Sequence, residues 1–222
     1  EYMALVAARA LAFSDAVRLV RARGTYMQEA VPEGVGTMAA ILGLDEAVVQ
    51  TLCRDASPAG IVEVANLNSP GQVTVSGEVA AVLRVMSLAK SRGGSAVQLK
   101  VSAPFHCSMM KPAADRLMPH LESTAISAPS IPVYANVTAQ MVTSPGEIRE
   151  LLYRQVYSPV RWEASVREMI AAGVRAFVEV GPGKTLTSLI RKIDRSVSVF
   201  SVQDRASLDG VTSWKEAATV GA

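Results

Sequence analysis

Apolar side chains recur at helical spacing through the first thirty residues, then switch to strand-like alternation. Met3 to Leu11 is rich in Ala and Leu and predicts one helix. Ser14 as N-cap, with Asp15 in the first turn, opens a second helix, whose apolar face is Phe13, Val17, Val20, Gly24 and Met27. Pro32-Glu33-Gly34 ends it. Thr37 to Leu42 reads as a short strand, and Asp45 caps a helix with Val48, Val49, Leu52, Cys53 and Ala56 on one side. Ile61 to Ala65 and Val73 to Val75 read as strands joined through the turn signal Asn68-Ser69-Pro70-Gly71. Val79, Val82, Leu83 and Met86 mark a helix closed by Gly93-Gly94, and Val97, Leu99 and Val101 alternate as a last strand. Strand, helix, strand, strand, helix, strand is the ferredoxin-like order.

Larger α/β units follow. Pro112 suits a helix start, and Pro119 is expected to kink or end that helix. Ile131 to Ala135 predicts a strand, Glu147 to Tyr157 and Glu163 to Ala172 predict helices, and Ala176 to Val180 predicts a strand leading through Gly181-Pro182-Gly183 into another helix. Ser196 to Val202 is the last expected strand, and the tail from Asp209 is expected to be disordered. The layout predicts a small ferredoxin-like (βαββαβ) module, residues 31–101, inserted into a larger α/β domain made of residues 1–30 and 102–222. The cleft between them is the expected ligand site.

Composition narrows the class. A 222-residue chain that is 50% hydrophobic and 19% charged has ample material for a core. Its formal charge of +2 argues against nucleic acid as the main partner. No apolar run approaches the ~18 residues of a membrane span, because Arg9 interrupts the richest one. No signal peptide is visible, and Cys53 and Cys107 make no disulfide framework, so a cytoplasmic location is expected. The sequon Asn136-Val137-Thr138 is then accidental.

Candidate chemistry is sparse. His106, one of two histidines, is expected at the end of a strand-like segment and just before a helix-like one, where an imidazole of ordinary pKa ~6.5 suits acid–base work. A hydrogen-bonded loop histidine is the plainer alternative. Arg23 lies ~60° from Val20 on its helix, at the flank of the expected apolar face, and must find an anion or reach water. It is a carboxylate clamp or half of a structural ion pair. Gln155 lies near a helix end, where a freed carbonyl can orient an imidazole, although most such glutamines are solvated. Gly181-Pro182-Gly183-Lys184-Thr185 is not a phosphate loop, because Val178 stands where the motif needs glycine. Cys53, Cys107, His106 and His120 lack metal-ligand spacing, and His120 beside Pro119 reads as a surface residue.

Several stretches together resemble the malonyl-CoA:ACP transacylases. They are Asp15-Ala16-Val17-Arg18-Leu19-Val20 with Arg23-Gly24, Met27-Gln28-Glu29-Ala30-Val31-Pro32-Glu33-Gly34, and Asn68-Ser69-Pro70-Gly71-Gln72. Val101 to Ser108 with Lys111-Pro112-Ala113-Ala114-Asp115, Arg154-Gln155 and Glu179 to Lys184 complete the set. The resemblance implies a partial α/β-hydrolase-like parallel-sheet acyltransferase core with the ferredoxin-like insertion. It also implies malonyl transfer from malonyl-CoA to the pantetheine thiol of acyl carrier protein in fatty-acid biosynthesis, through a serine acyl-enzyme, with no cofactor. It makes His106 the base, the Gln155 carbonyl its orienter, Arg23 the malonyl clamp and Phe105 a wall of a narrow acyl pocket, with Asn68 and Met27 lining the cleft. The family's Gly-His-Ser-Leu-Gly elbow and Gly-Gln-Gly-Ser-Gln segment do not occur in the sequence. The expectation is therefore a truncated chain, inactive alone, from a parent that is monomeric at full length. The alternatives are a non-catalytic carrier-binding module, with Lys90, Arg92, Lys100, Lys111 and Arg116 as a basic rim, and a free-standing acyltransferase of a polyketide synthase.

Overall fold

The computed structural model describes residues 1–220, in two compact units, Glu1–Ser165 and residues 166–220. The first unit runs α1 (Tyr2–Ala7), α2 (Phe13–Glu29), β1 (Gly36–Leu42), α3 (Glu46–Ala56), β2 (Val62–Ser69), β3 (Gln72–Glu78), α4 (Val79–Ser91) and β4 (Ser95–Gln98). It continues through α5 (Lys111–Ser123), β5 (Val133–Tyr134), β6 (Met141–Val142) and α6 (Pro145–Gln155), and α7 (Trp162–Ala171) crosses into the second unit.

β1 to β4 form one antiparallel sheet in the order β2-β3-β1-β4, the ferredoxin-like topology. Val73 and Val75 of β3 and Ala39 and Ile41 of β1 share one face, which packs with Val49, Leu52, Val82 and Val85 of α3 and α4 in a closed cluster. Pro70-Gly71 turns β2 into β3, with Gly71 at φ 68, a value a side chain resists. A second cluster gathers α1, α2, α5 and α6 around Leu5, Leu19, Met110, Leu117, Leu121 and Ile148. It draws on residues 2–31 and 103–156, and the sheet cluster on residues 39–96.

The second unit is a βαβ turn: β7 (Ala176–Val180), α8 (Thr185–Ile193) and β8 (Ser198–Val202), with the strands paired in parallel, followed by α9 (Arg205–Val220). The tail from Asp209 is thus helical to Val220 and not disordered as expected. The Gly181-Pro182-Gly183 turn offers no phosphate cradle. Gly183 N–H donates to Gln203, and the Leu186 and Thr187 N–H groups donate to the Glu179 carboxylate.

Several local expectations fail for identifiable reasons. α1 stops at Ala7 rather than Leu11, because Arg9 takes φ 58 and Leu11 bridges Ile126 instead. α2 starts at Phe13 with Ala12 as N-cap, so Ser14 lies in the first turn. Its buried face is Ala16, Leu19 and Met27, while Phe13, Val17 and Val20 are exposed. Small Ala16 carries little weight in a hydrophobic pattern, yet it permits close packing. In α4 Leu83 likewise lies outside, with Ala81, Val85 and Ala89 in. Pro119 is tolerated within α5, which runs on to Ser123. β4 ends at Gln98, and β5 is only Val133–Tyr134.

Candidate active site

His106 occupies a turn well past the end of β4, not a strand terminus. Its φ of 61 lies in the left-handed region, which costs a non-glycine residue on the order of 1 kcal/mol and needs support from its surroundings. The support is local and distant. Phe105 N–H donates to Ala103 O at 3.1 Å, and the buried Cys107 thiol donates to Pro104 O at 3.1 Å. Pro104 rests on Gly36 of β1, where a Cβ would meet the Pro104 ring at 2.3 Å. Across the unit, Gln155 O lies 3.0 Å from His106 Nδ1.

That contact fixes the tautomer. A carbonyl can only accept, so Nδ1 carries the hydrogen and Nε2 is left as the basic nitrogen. Burial, and after it the nearby Arg23 charge, push the His106 pKa down to about 4, against the Gln155 bond, which raises it. The imidazole is therefore neutral at pH 7 and able to accept a proton.

Gln155 also holds Arg23. It is the last residue of α6, so its carbonyl has no helical partner and turns to His106, while its side-chain Oε1 accepts from Arg23 Nη2 at 2.7 Å. The Gln155 amide in turn donates to Asn136 Oδ1 at 3.2 Å, and Asn136 N–H donates to Glu1 Oε1 at 2.8 Å. Val160 pairs with β2 through bonds to Ala65 and Leu67, and Arg161 N–H donates to Asn136 O, which straps this assembly to the sheet. Arg23 lies between Leu19 and Met27 on the buried side of α2, and burial depresses its pKa. Its Nε–H, the Tyr2 hydroxyl and Glu1 Oε2 are buried without a partner. A buried guanidinium with an unsatisfied N–H is an electrostatic demand for an anion.

A family model described as the acyl transferase domain matches residues 1–220. The chain is 46% identical over 211 residues to the malonyl CoA-acyl carrier protein transacylase of Bacillus subtilis, covering 94% of this chain and 67% of that protein. The malonyl CoA-acyl carrier protein transacylase of Clostridium perfringens superposes with a TM-score of 0.97 at 43% identity, over 99% of this chain and 70% of that one. This chain belongs to the malonyl-CoA:acyl carrier protein transacylase family. A third relative is a malonyl-transacylase in complex with its type II polyketide-synthase acyl-carrier protein. It has a TM-score of 0.91 and 44% identity, and the match covers 93% of this chain and 67% of that one.

The other residues singled out from sequence lie as follows. Phe105 is half-buried against the α-helical cluster, in which Met27 is deeply buried. Asn68 is on β2, with Nδ2 donating to Thr74 at 3.4 Å. That bond stays within the sheet, and it does not join Asn68 to His106 or Arg23. Lys111 bonds Asp115 and Tyr153, and Arg116 pairs with Glu29 at 2.8 Å, so two members of the expected basic rim are engaged within the chain. His120 is exposed and hydrogen-bonded to the Tyr26 hydroxyl. Asn136, in sequence only part of a sequon, and Glu63, which bonds Ser108, carry no local sequence signal of these contacts. Among the described residues no His/Cys/Asp/Glu cluster could hold a metal, and no helix is long and apolar enough to cross a membrane.

Proposed function

We propose that this chain carries the histidine–arginine half of a malonyl transfer from malonyl-CoA to the pantetheine thiol of acyl carrier protein, in fatty-acid biosynthesis. The observation that carries the reading is the convergence of His106 and Arg23 on one residue, Gln155. Arg23 binds the malonyl carboxylate through its unpartnered Nε–H, offsetting the cost of its own burial. His106 Nε2 takes the proton of the attacking serine hydroxyl as the thioester carbonyl is attacked, and returns it to the departing CoA sulfur. The acyl-enzyme is then opened by the carrier's thiol, with His106 again relaying the proton. The Gln155 carbonyl stabilises the transient imidazolium, as the carboxylate does in a Ser-His-Asp triad. Carboxylate binding has a second effect: it neutralises the Arg23 charge that depresses His106, so the base strengthens when the substrate is in place.

Phe105 narrows the acyl site and Met27 backs it from the core. No cofactor enters the reaction, and a cytoplasmic setting supplies both thioester substrates. Family relatives carry the serine in a Gly-His-Ser-Leu-Gly elbow, so the test uses the chain extended by a segment bearing that elbow. Arg23→Ala should lower kcat/KM for malonyl-CoA about 100-fold, roughly the ~3 kcal/mol of a charge-assisted pair, and leave acetyl-CoA little changed. Retained preference for malonyl over acetyl would exclude the clamp. The polyketide-synthase relative favours a second reading, the same transfer onto a polyketide carrier. Comparing turnover with a fatty-acid carrier and a polyketide carrier separates the two.

A further inference from the structure

The strained turn that carries His106 is tied at its far end by a residue outside the catalytic group. Ser108, two positions on, donates both its backbone N–H and its hydroxyl to the Glu63 carboxylate, at 2.9 and 2.5 Å. Glu63 lies on β2, opposite Ser76 of β3, 45 residues away in sequence from Ser108. Ser108 opens the short 3-10 turn Ser108–Met110 that leads into α5, so the carboxylate fixes both position and direction of the chain as it leaves His106. On the other side, Pro104 is seated on Gly36 of β1. The four-stranded sheet thus grips the His106 turn before and after the histidine. Of these two grips, only the one from Glu63 is polar and directional.

We propose that Glu63 is a positioning residue for His106, its carboxylate locking the turn that aims the imidazole at Gln155. Burial, Arg23 and the Gln155 carbonyl set the basicity of His106, so Glu63 acts through geometry and not through its charge. The two routes differ in sign. Removing a nearby negative charge, by itself, lowers an imidazole pKa. Releasing the turn lets water reach the ring and raises it. That the lock serves catalysis rests on the transfer reading above; the lock itself does not.

The experiment follows the His106 imidazole by NMR in the 222-residue chain with nitrogen-labelled histidine, using His120→Gln to assign the two rings. In Glu63→Ala the titration should rise from about 4 toward the unperturbed value of ~6.5. Should that variant not fold, Glu63→Gln, which keeps one acceptor oxygen, should show a smaller rise. Glu78→Ala removes a comparable carboxylate bond to Ile61 N–H in the same sheet and should leave His106 unmoved. An unchanged or lower titration in the Glu63 variants, or an equal rise in Glu78→Ala, overturns the proposal. In the elbow-extended protein, Glu63→Ala should reduce kcat about tenfold, with KM for malonyl-CoA within about twofold. A moved titration in a protein that transfers no malonyl group fails the transfer reading alone. An unmoved titration beside intact transfer fails the Glu63 lock alone.

Discussion

A buried imidazole that stays neutral leaves a signature in stability. Folded His106 takes its proton near pH 4, whereas the unfolded chain takes it near ~6.5. Above that upper value both forms are neutral and the contribution is complete. As pH falls through the window the unfolded chain binds the proton first, and folding loses up to about 3 kcal/mol; below about 4 the loss stops. Urea denaturation of the wild type and His106→Gln at pH 7 and pH 4 should show the wild type losing more, and parallel losses would refute the depressed titration. His106 and Arg23 were legible in the sequence because each is conspicuous: a rare histidine, and a charged group near an apolar helix face. The buried face that Arg23 borders is that of Leu19 and Met27, while Val20, one turn before it, is exposed. Asn136 and Glu63 were not legible. Their roles come from partners 19 and 45 residues away, which no local pattern encodes.

The ferredoxin-like order was readable because β-branched runs, helical apolar spacing and the Pro70-Gly71 turn all agree there. Errors fell where the pattern was ambiguous. Helix α2 carries apolar residues on two sides, and it is the side with Ala16, Leu19 and Met27 that packs in the cluster with α5. We read the two separate buried clusters as an inserted module, 31–101, and a discontinuous remainder within the first unit. Native-state hydrogen exchange should then show amides of β1 to β4 opening together at a free energy different from those of α2, α5 and α6; a single common opening would contradict that division. The seam between module and remainder has a second test. Gly36→Ala places a methyl 2.3 Å from the Pro104 ring and should cost about 1–3 kcal/mol, with the His106 resonances displaced. Unaltered His106 resonances would mean that β1 does not seat the turn.

At the scale of the molecule, the site arises in the first unit alone: α2 brings Arg23, the turn after β4 brings His106, and the end of α6 brings Gln155. A net charge of +2 gives little long-range attraction for an acidic carrier, and Lys111 and Arg116 are partly spent on internal pairs. The most direct measurement of the shared site is the His106 titration in the Arg23→Ala chain. If guanidinium and imidazole share one buried pocket, removing the positive charge should raise the titration above about 4, short of the unperturbed value because burial, the larger cause, remains. A folded Arg23→Ala chain in which the His106 titration does not move would contradict a shared buried pocket.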